Sequence, residues 1–290
     1  MTRDGATHSR QAAGRAAAAD APPRPVALVT GASAGIGLAF AEALAARGYD
    51  LVLTARREER LAALAARLAA AHDAACLVLP ADLTRAEAPA ALMRAVAEAG
   101  WPVDMLVNNA GYAVPGDFAD SGWPAQRDFL AAMVIAVAEL SHACLPGMLA
   151  RGQGRIVNIA SLAAFMPGAP GSTQYGAVKA WMLRFSEALA QELAGSGVTV
   201  TAVCPGFTYS EFHDITGSRA TVSALPRWLW MDAATVAMQG IEGALHGRPV
   251  VVTGRVNRMI ALAFRLLPDV LARRLIARAS GRFRRRLPQP

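Results

Sequence analysis

From Pro25 onward the chain alternates between short apolar runs rich in β-branched residues and longer stretches rich in alanine and leucine. The short runs are Val26 to Thr30, Leu51 to Thr54, Cys76 to Leu79, Val103 to Val107, Arg155 to Ile159, Val198 to Val203 and Pro249 to Thr253. Helix-like segments separate them at 36–47, 57–71, 86–99, 124–150 (interrupted near Pro146), 173–194 and 232–246. Runs that are apolar throughout need cover on both faces, and strands joined by helices pair in parallel. The pattern predicts an α/β fold with a doubly wound, seven-stranded parallel sheet. Right-handed crossovers put the loops after each strand on one side of that sheet. The motifs below all fall on those loops or just beyond them.

Composition narrows the reading. Apolar residues make up 54% of 290, which excludes a disordered or fibrous chain. Cys76, Cys144 and Cys204 are far apart and odd in number, which suits reduced, buried thiols in a cytoplasmic protein. Neither they nor the five histidines show metal-ligand spacing, so no metal site is expected. The net charge is +7, but residues 255–286 hold ten arginines against Asp269 alone, or +9, which leaves −2 for the rest. The basic character thus belongs to the tail. Residues 1–24 are Ala/Arg-rich without an apolar core, and read as a disordered extension or an organellar transit peptide rather than a secretory signal. No run of 18 apolar residues occurs, so no transmembrane span is expected.

After the first strand comes Thr30-Gly31-Ala32-Ser33-Ala34-Gly35-Ile36-Gly37, opening a helix. Glycines let the backbone turn sharply and approach a phosphate, and the helix N-terminus adds free N–H groups and a favourable dipole. A tight structural turn is the plainer alternative. The spacing G-x-x-x-G-x-G, with Asn108-Asn109-Ala110-Gly111, Ser161, Tyr175-x-x-x-Lys179 and Pro205-Gly206 in that order, resembles the short-chain dehydrogenase/reductase family over residues 25–254. The resemblance implies a Rossmann-type catalytic domain binding NAD(H) or NADP(H) across the C-terminal edge of the sheet. It implies cofactor contacts from Gly31, Ser33, Gly35, Ile36, Gly37, Arg56, Asp82, Asn109, Ala110, Gly111, Tyr175, Lys179, Pro205, Gly206 and Thr208.

Ala55 stands where NAD-preferring members of that family carry an acid, and Arg56 follows it. A guanidinium suits a 2′-phosphate, and cations at a helix start oppose its dipole, so NADP(H) is favoured over NAD(H). Tyr175 and Lys179 are four apart at helical periodicity and share a face. A nearby ammonium would lower the phenol's pKa from about 10. The resemblance makes Tyr175 the general acid/base, Lys179 its partner and ribose contact, and Ser161 the hydrogen-bond partner of the substrate oxygen. The chain has 28 arginines and one lysine, Lys179. Arginine serves at every other basic position, so an ammonium is required here. Counting back from Ser161 places Met133 where the family usually has an asparagine that holds a relay water, which implies a replaced relay, a weakened one, or a shifted alignment.

From Phe207 to Trp230, the family's lid region, lie Phe212, His213, Leu225, Trp228 and Leu229. That content suggests a small hydrophobic carbonyl or alcohol substrate, or else packing and oligomer contacts. The tail, 255–290, forms two basic amphipathic segments split at Pro268. It can lie peripherally on an anionic membrane, cap the sheet or pack against a second subunit. It carries no nucleic-acid module. The expected protein is a cytoplasmic, homo-oligomeric, NADP(H)-dependent oxidoreductase. The alternative is a cofactor-binding sensor or scaffold with weak turnover.

Overall fold

The computed structural model describes residues 23–171, 173–209 and 226–280. Residues 1–22 of the extension expected over 1–24, the lid residues Phe212, His213 and Leu225, and Arg282 to Arg286 lie outside the described residues.

Seven parallel strands form the sheet: β1 (Val26–Thr30), β2 (Asp50–Thr54), β3 (Cys76–Val78), β4 (Met105–Asn108), β5 (Gly154–Ile159), β6 (Val198–Cys204) and, at the far edge, β7 (Val250–Val252). Their order is β3-β2-β1-β4-β5-β6-β7, so the direction of winding reverses between β1 and β4. Val26 registers with Asp50 on one side of β1, and Ala27 with Met105 on the other. Ligands of such sheets bind at this switch point, beyond the strand C-termini.

The strand period of two divides the core into layers. Ala27 and Val29 of β1 meet α1 (Gly35–Ala45) through Phe40 and Leu44, α2 (Glu58–His72) through Leu61 and Leu64, and α7 (Ala233–Leu245) through Val236 and Ile241. Val26 and Leu28 face α3 (Ala88–Glu98) through Leu92 and Val96, and α5 (Ala136–Ala150) through Leu140, Cys144 and Met148. Each large side chain so buried contributes roughly 1.5–3 kcal/mol. α4 (Trp123–Leu130) leads into α5, and α6 (Thr173–Glu192) precedes β6. The tail forms α8 (Arg255–Leu266) and α9 (Asp269–Ser280).

Three details differ from the sequence reading. β4 begins at Met105, and the carboxylate of the preceding Asp104 accepts from Val26 N at 2.9 Å and pairs with Arg151. The long helix is not broken at Pro146. That proline sits on the exposed face, where solvent can meet the carbonyl left without a donor. Its irregularity is a π-helical turn at Ala131–Ile135, around Met133. In addition, Trp123–Ala150 is by length and composition apolar enough to span a membrane, with a mean hydropathy of 1.7. In this fold it is a core helix, with Phe129, Leu140 and Met148 fully buried.

A buried polar ladder ties the central strands to two helices. Asn108 Nδ2 donates to Asn158 Oδ1 (2.9 Å) and Ser141 Oγ (3.2 Å), and Asn158 Nδ2 donates to Ser186 Oγ (2.9 Å). Ser186 lies two turns beyond Lys179 on one face of α6. The ladder therefore fixes which way α6 presents that lysine.

Candidate active site

The glycine turn is clamped from behind. Thr30 Oγ1 donates to Val107 O and accepts from the backbone N–H groups of Asn109 and Ala110, both at 2.9 Å. Asn109 Nδ2 returns a bond to Thr30 O at 2.9 Å. Gly31 has φ +67°, and a Cβ there would come within 2.8 Å of Asn109 Nδ2. Gly35, at φ +57°, opens α1. The N-cap of α1 is Ala34, which supplies no side-chain cap, and no acid lies in the first turn. Its N–H groups are left for an anion. Gly37 does not line the cleft. A Cβ there would overlap Gly31 O and Asn109 Nδ2, so it serves close packing beneath the turn.

The turn floors one part of a cleft of about 590 Å³. Every other residue expected at the site lines it: Ser33, Gly35 and Ile36 at the turn, Arg56 and Asp82 past β2 and β3, Asn109, Ala110 and Gly111 past β4, then Ser161, Tyr175, Lys179, Pro205, Gly206 and Thr208. Arg56 is exposed at the lip. Asp82 Oδ1 accepts from Thr84 N and Thr84 Oγ1 at 3.1 and 2.9 Å, which turns the loop inward. Thr208 Oγ1 donates to Gly206 O at 3.2 Å.

At the other end stand Ser161, Tyr175 and Lys179. Ser161 caps a 3₁₀ turn (Leu162–Phe165), its Oγ accepting from Ala163 N at 3.1 Å. Lys179 is 6% exposed, and its Nζ donates to Ile159 O at 2.6 Å. Nζ lies 5.8 Å from the centre of the Tyr175 ring. Burial pushes the Lys179 pKa down to about 8, opposed by the Cys204 thiol. Burial also raises the Tyr175 phenol, opposed by its hydrogen bond with Ser161. The depressed phenol expected from the lysine is thus not what this geometry produces. Desolvation of the buried phenol prevails, and the Ser161 hydrogen bond offsets it only in part.

Met133 is 0% exposed, packed with Phe129 and Val178 and flanked by Tyr112 and Tyr175. A Cβ on Gly111 would come within 2.8 Å of its sulfur. The thioether therefore forms the cleft wall beside Tyr175.

The sequence profile described as short chain dehydrogenase matches residues 25–219. The chain belongs to the short-chain dehydrogenase/reductase family. It is similar to a ketoacyl reductase of Nostoc sp., at 37% identity over 62% of either chain, so it spans under two thirds of that relative. It is 33% identical to an uncharacterized oxidoreductase of Staphylococcus saprophyticus over 79% of this chain and 96% of that one. Among solved structures, a short-chain dehydrogenase from Sphingobium yanoikuyae in complex with NADPH superposes with a TM-score of 0.72. That pair is 37% identical and covers 82% of this chain and 92% of the other. A member from Burkholderia phymatum in complex with NAD gives 0.75 at 27% identity, over 84% and 92%.

The residues of this dehydrogenase/reductase fit a nicotinamide dinucleotide. An uncapped helix N-terminus and positive-φ glycines suit a pyrophosphate. Thr54 Oγ1 lines the cleft, buried without a hydrogen-bond partner. At the strand end there is alanine rather than an acid, with two arginines beside it. Sequence reasoning assigned Arg56 but gave Arg57 no role. Arg57 also lines the cleft, its Nη2 donating to Ser33 Oγ at 3.2 Å. It also passed over Asn257, buried in α8. A Cβ on Gly206 would overlap the Asn257 side chain, whose Nδ2 donates to Thr253 O at 2.8 Å. One signal was available: Asn257 is the single uncharged polar residue in the apolar run 256–267.

Proposed function

We propose that this chain is an NADP(H)-dependent carbonyl reductase or alcohol dehydrogenase acting on a small hydrophobic substrate in the cytoplasm. The observation that carries the reading is the placement of the chain's one lysine, buried against Ile159 O beside a tyrosine that is hydrogen-bonded to Ser161. Arg56 and Arg57 beside Ala55 support the phosphorylated cofactor. Leu162, Met166, Phe207 and Met133 give the substrate end an apolar lining. The NADPH complex of the Sphingobium yanoikuyae relative supports the cofactor choice, and the ketoacyl reductase relative supports a carbonyl substrate. Three free thiols among the described residues suit a reducing compartment.

The bound nicotinamide would supply or accept the hydride. Ser161 and Tyr175 hold the substrate oxygen between them and fix its position. In reduction Tyr175 gives its phenolic proton to that oxygen, and burial keeps the proton on the phenol until the oxygen gains charge. Lys179, cationic below about pH 8, stabilises the phenolate that results. Oxidation of an alcohol runs the same proton backwards. The apolar wall, including Met133, keeps bulk water off the oxygen.

Steady-state oxidation of NADPH with a panel of hydrophobic ketones tests the reading, and tight NADPH binding with no turnover on any of them defeats it. Met133 supports a second reading, a nucleotide-binding sensor, because a buried thioether beside Tyr175 cannot hold a relay water as an amide does. The same failed assay is the result that second reading expects.

A further inference from the structure

The tail helices turn their apolar residues outward. On α8, Met259, Leu262 and Leu266 are 71%, 57% and 75% exposed. On α9, Val270, Leu271 and Leu275 are 61%, 48% and 52% exposed. The inner faces are already satisfied: Asn257 and Ala261 of α8 and Ala272 of α9 are buried. Arg265 lies over the Phe165 ring at 4.9 Å. Residues 255–280 hold six arginines (255, 258, 265, 273, 274 and 278) against one acid, Asp269, which pairs with Arg273 at 3.0 Å. Such an apolar surface on a segment of net charge +5 suits an occupant that is apolar within and anionic at its rim.

A second copy of the chain does not meet that description. A two-fold contact apposes a patch to itself, which would set one tail of net charge +5 over residues 255–280 against another. The cores of protein interfaces are also depleted in charge. An anionic lipid surface matches both the apolar row and the arginines.

The tail is also continuous with the substrate end of the cleft. A second cavity, of about 560 Å³, lies between residues 164–168 and the two tail helices, and Met166 lines both it and the cofactor cleft. Asn257 packs behind Gly206 at the opposite lip. Whatever seats the tail therefore holds the mouth of the substrate cleft against it.

We propose that the outer face of α8 and α9 docks on an anionic membrane surface, and that the enzyme takes a lipophilic carbonyl or alcohol partitioned into that membrane. The substrate half rests on the oxidoreductase reading; the docking half does not.

The test uses the full chain with vesicles of phosphatidylcholine, with and without phosphatidylglycerol. Sedimentation is expected to show binding at least about tenfold tighter to the anionic vesicles, weakened by salt. Leu262→Asp with Leu266→Asp should reduce that binding about tenfold or more and leave turnover of a water-soluble ketone unchanged. The same variant should lose turnover of a long-chain ketone embedded in the vesicles. Three results overturn the docking half: no preference for anionic vesicles, binding unaffected by the double substitution, or a wild-type dimer that the substitution splits without any lipid binding. Vesicle binding with no turnover of either ketone overturns the substrate half and the reductase reading with it.

Discussion

Lys179 Nζ donates to the carbonyl of Ile159 at 2.6 Å, so the end of β5 holds the lysine of α6 in a buried position. Folding lowers its pKa from 10.5 to about 8. Between those values the unfolded chain carries more protons than the folded one, so stability rises with pH across that window. Below about pH 8 the full cost of the buried cation is present, on the order of 3 kcal/mol. Lys179→Met should therefore raise the Tm at neutral pH, an advantage that shrinks as pH approaches 10.5. A thermal melt series over pH checks this. A variant less stable than the wild type at neutral pH would show that the bond to Ile159 outweighs the desolvation.

The same titration should set the alkaline limit of the proposed activity. Tyr175 stays protonated through neutral pH because burial raises its pKa. The reductive kcat/KM should therefore be flat near neutrality and fall above about pH 8, as Lys179 loses its charge. A profile that falls instead on the acid side of neutrality would contradict this assignment.

Tyr175→Phe removes the proposed proton donor and keeps the ring in its contacts with Val178 and Met133. Turnover should drop by about 10²–10⁴-fold. NADPH affinity, read by fluorescence titration, should hold within a factor of a few. Residual activity near wild type would sink the acid/base role.

Arg56→Glu places an acid at the lip that faces the expected phosphate. Loss of a charge-assisted bond is worth roughly 1.5–3 kcal/mol, or about 10–100-fold in NADPH affinity. NADH affinity should change little or improve. Arg57→Ala should weaken NADPH binding less, since Arg57 already donates to Ser33. Equal losses for both nucleotides would mean that the arginines shape the loop rather than read a phosphate.

Gly37→Ala tests close packing. The added methyl would overlap the Gly31 carbonyl, a backbone atom that the Thr30–Asn109 clamp keeps from moving aside. A cost of about 1–3 kcal/mol in stability is expected, together with weaker binding of either nucleotide. Urea unfolding and titration would each report it. A neutral effect on both would show that the turn can relax.

Much of this was legible in the chain itself. The alternation of apolar runs and helical stretches reads as a parallel sheet, because a strand buried on both faces cannot hide its sequence pattern. The glycine turn, Ser161, Tyr175 and Lys179 were visible because each needs a particular side chain, or none, at a particular spacing. Asn108 and Asn158 were open to the same reading, as polar ends of apolar strands. Their meaning came only from their adjacency across β4 and β5, where they bond to each other.

What the sequence determined by itself was therefore local: which segments are strands, where the backbone must turn, and which side chains are candidates for chemistry. Only the tertiary structure decided the balance of forces on those side chains. The ammonium was expected to lower the Tyr175 phenol, but desolvation prevails, because burial depends on what surrounds a group and not on its spacing from Lys179. The tail shows the same division. Its arginines and leucines were plain in the sequence, but which face they would turn outward depended on Asn257 and Ala261 packing inward. Periodicity names two faces of a helix, and only the neighbours choose which one is buried.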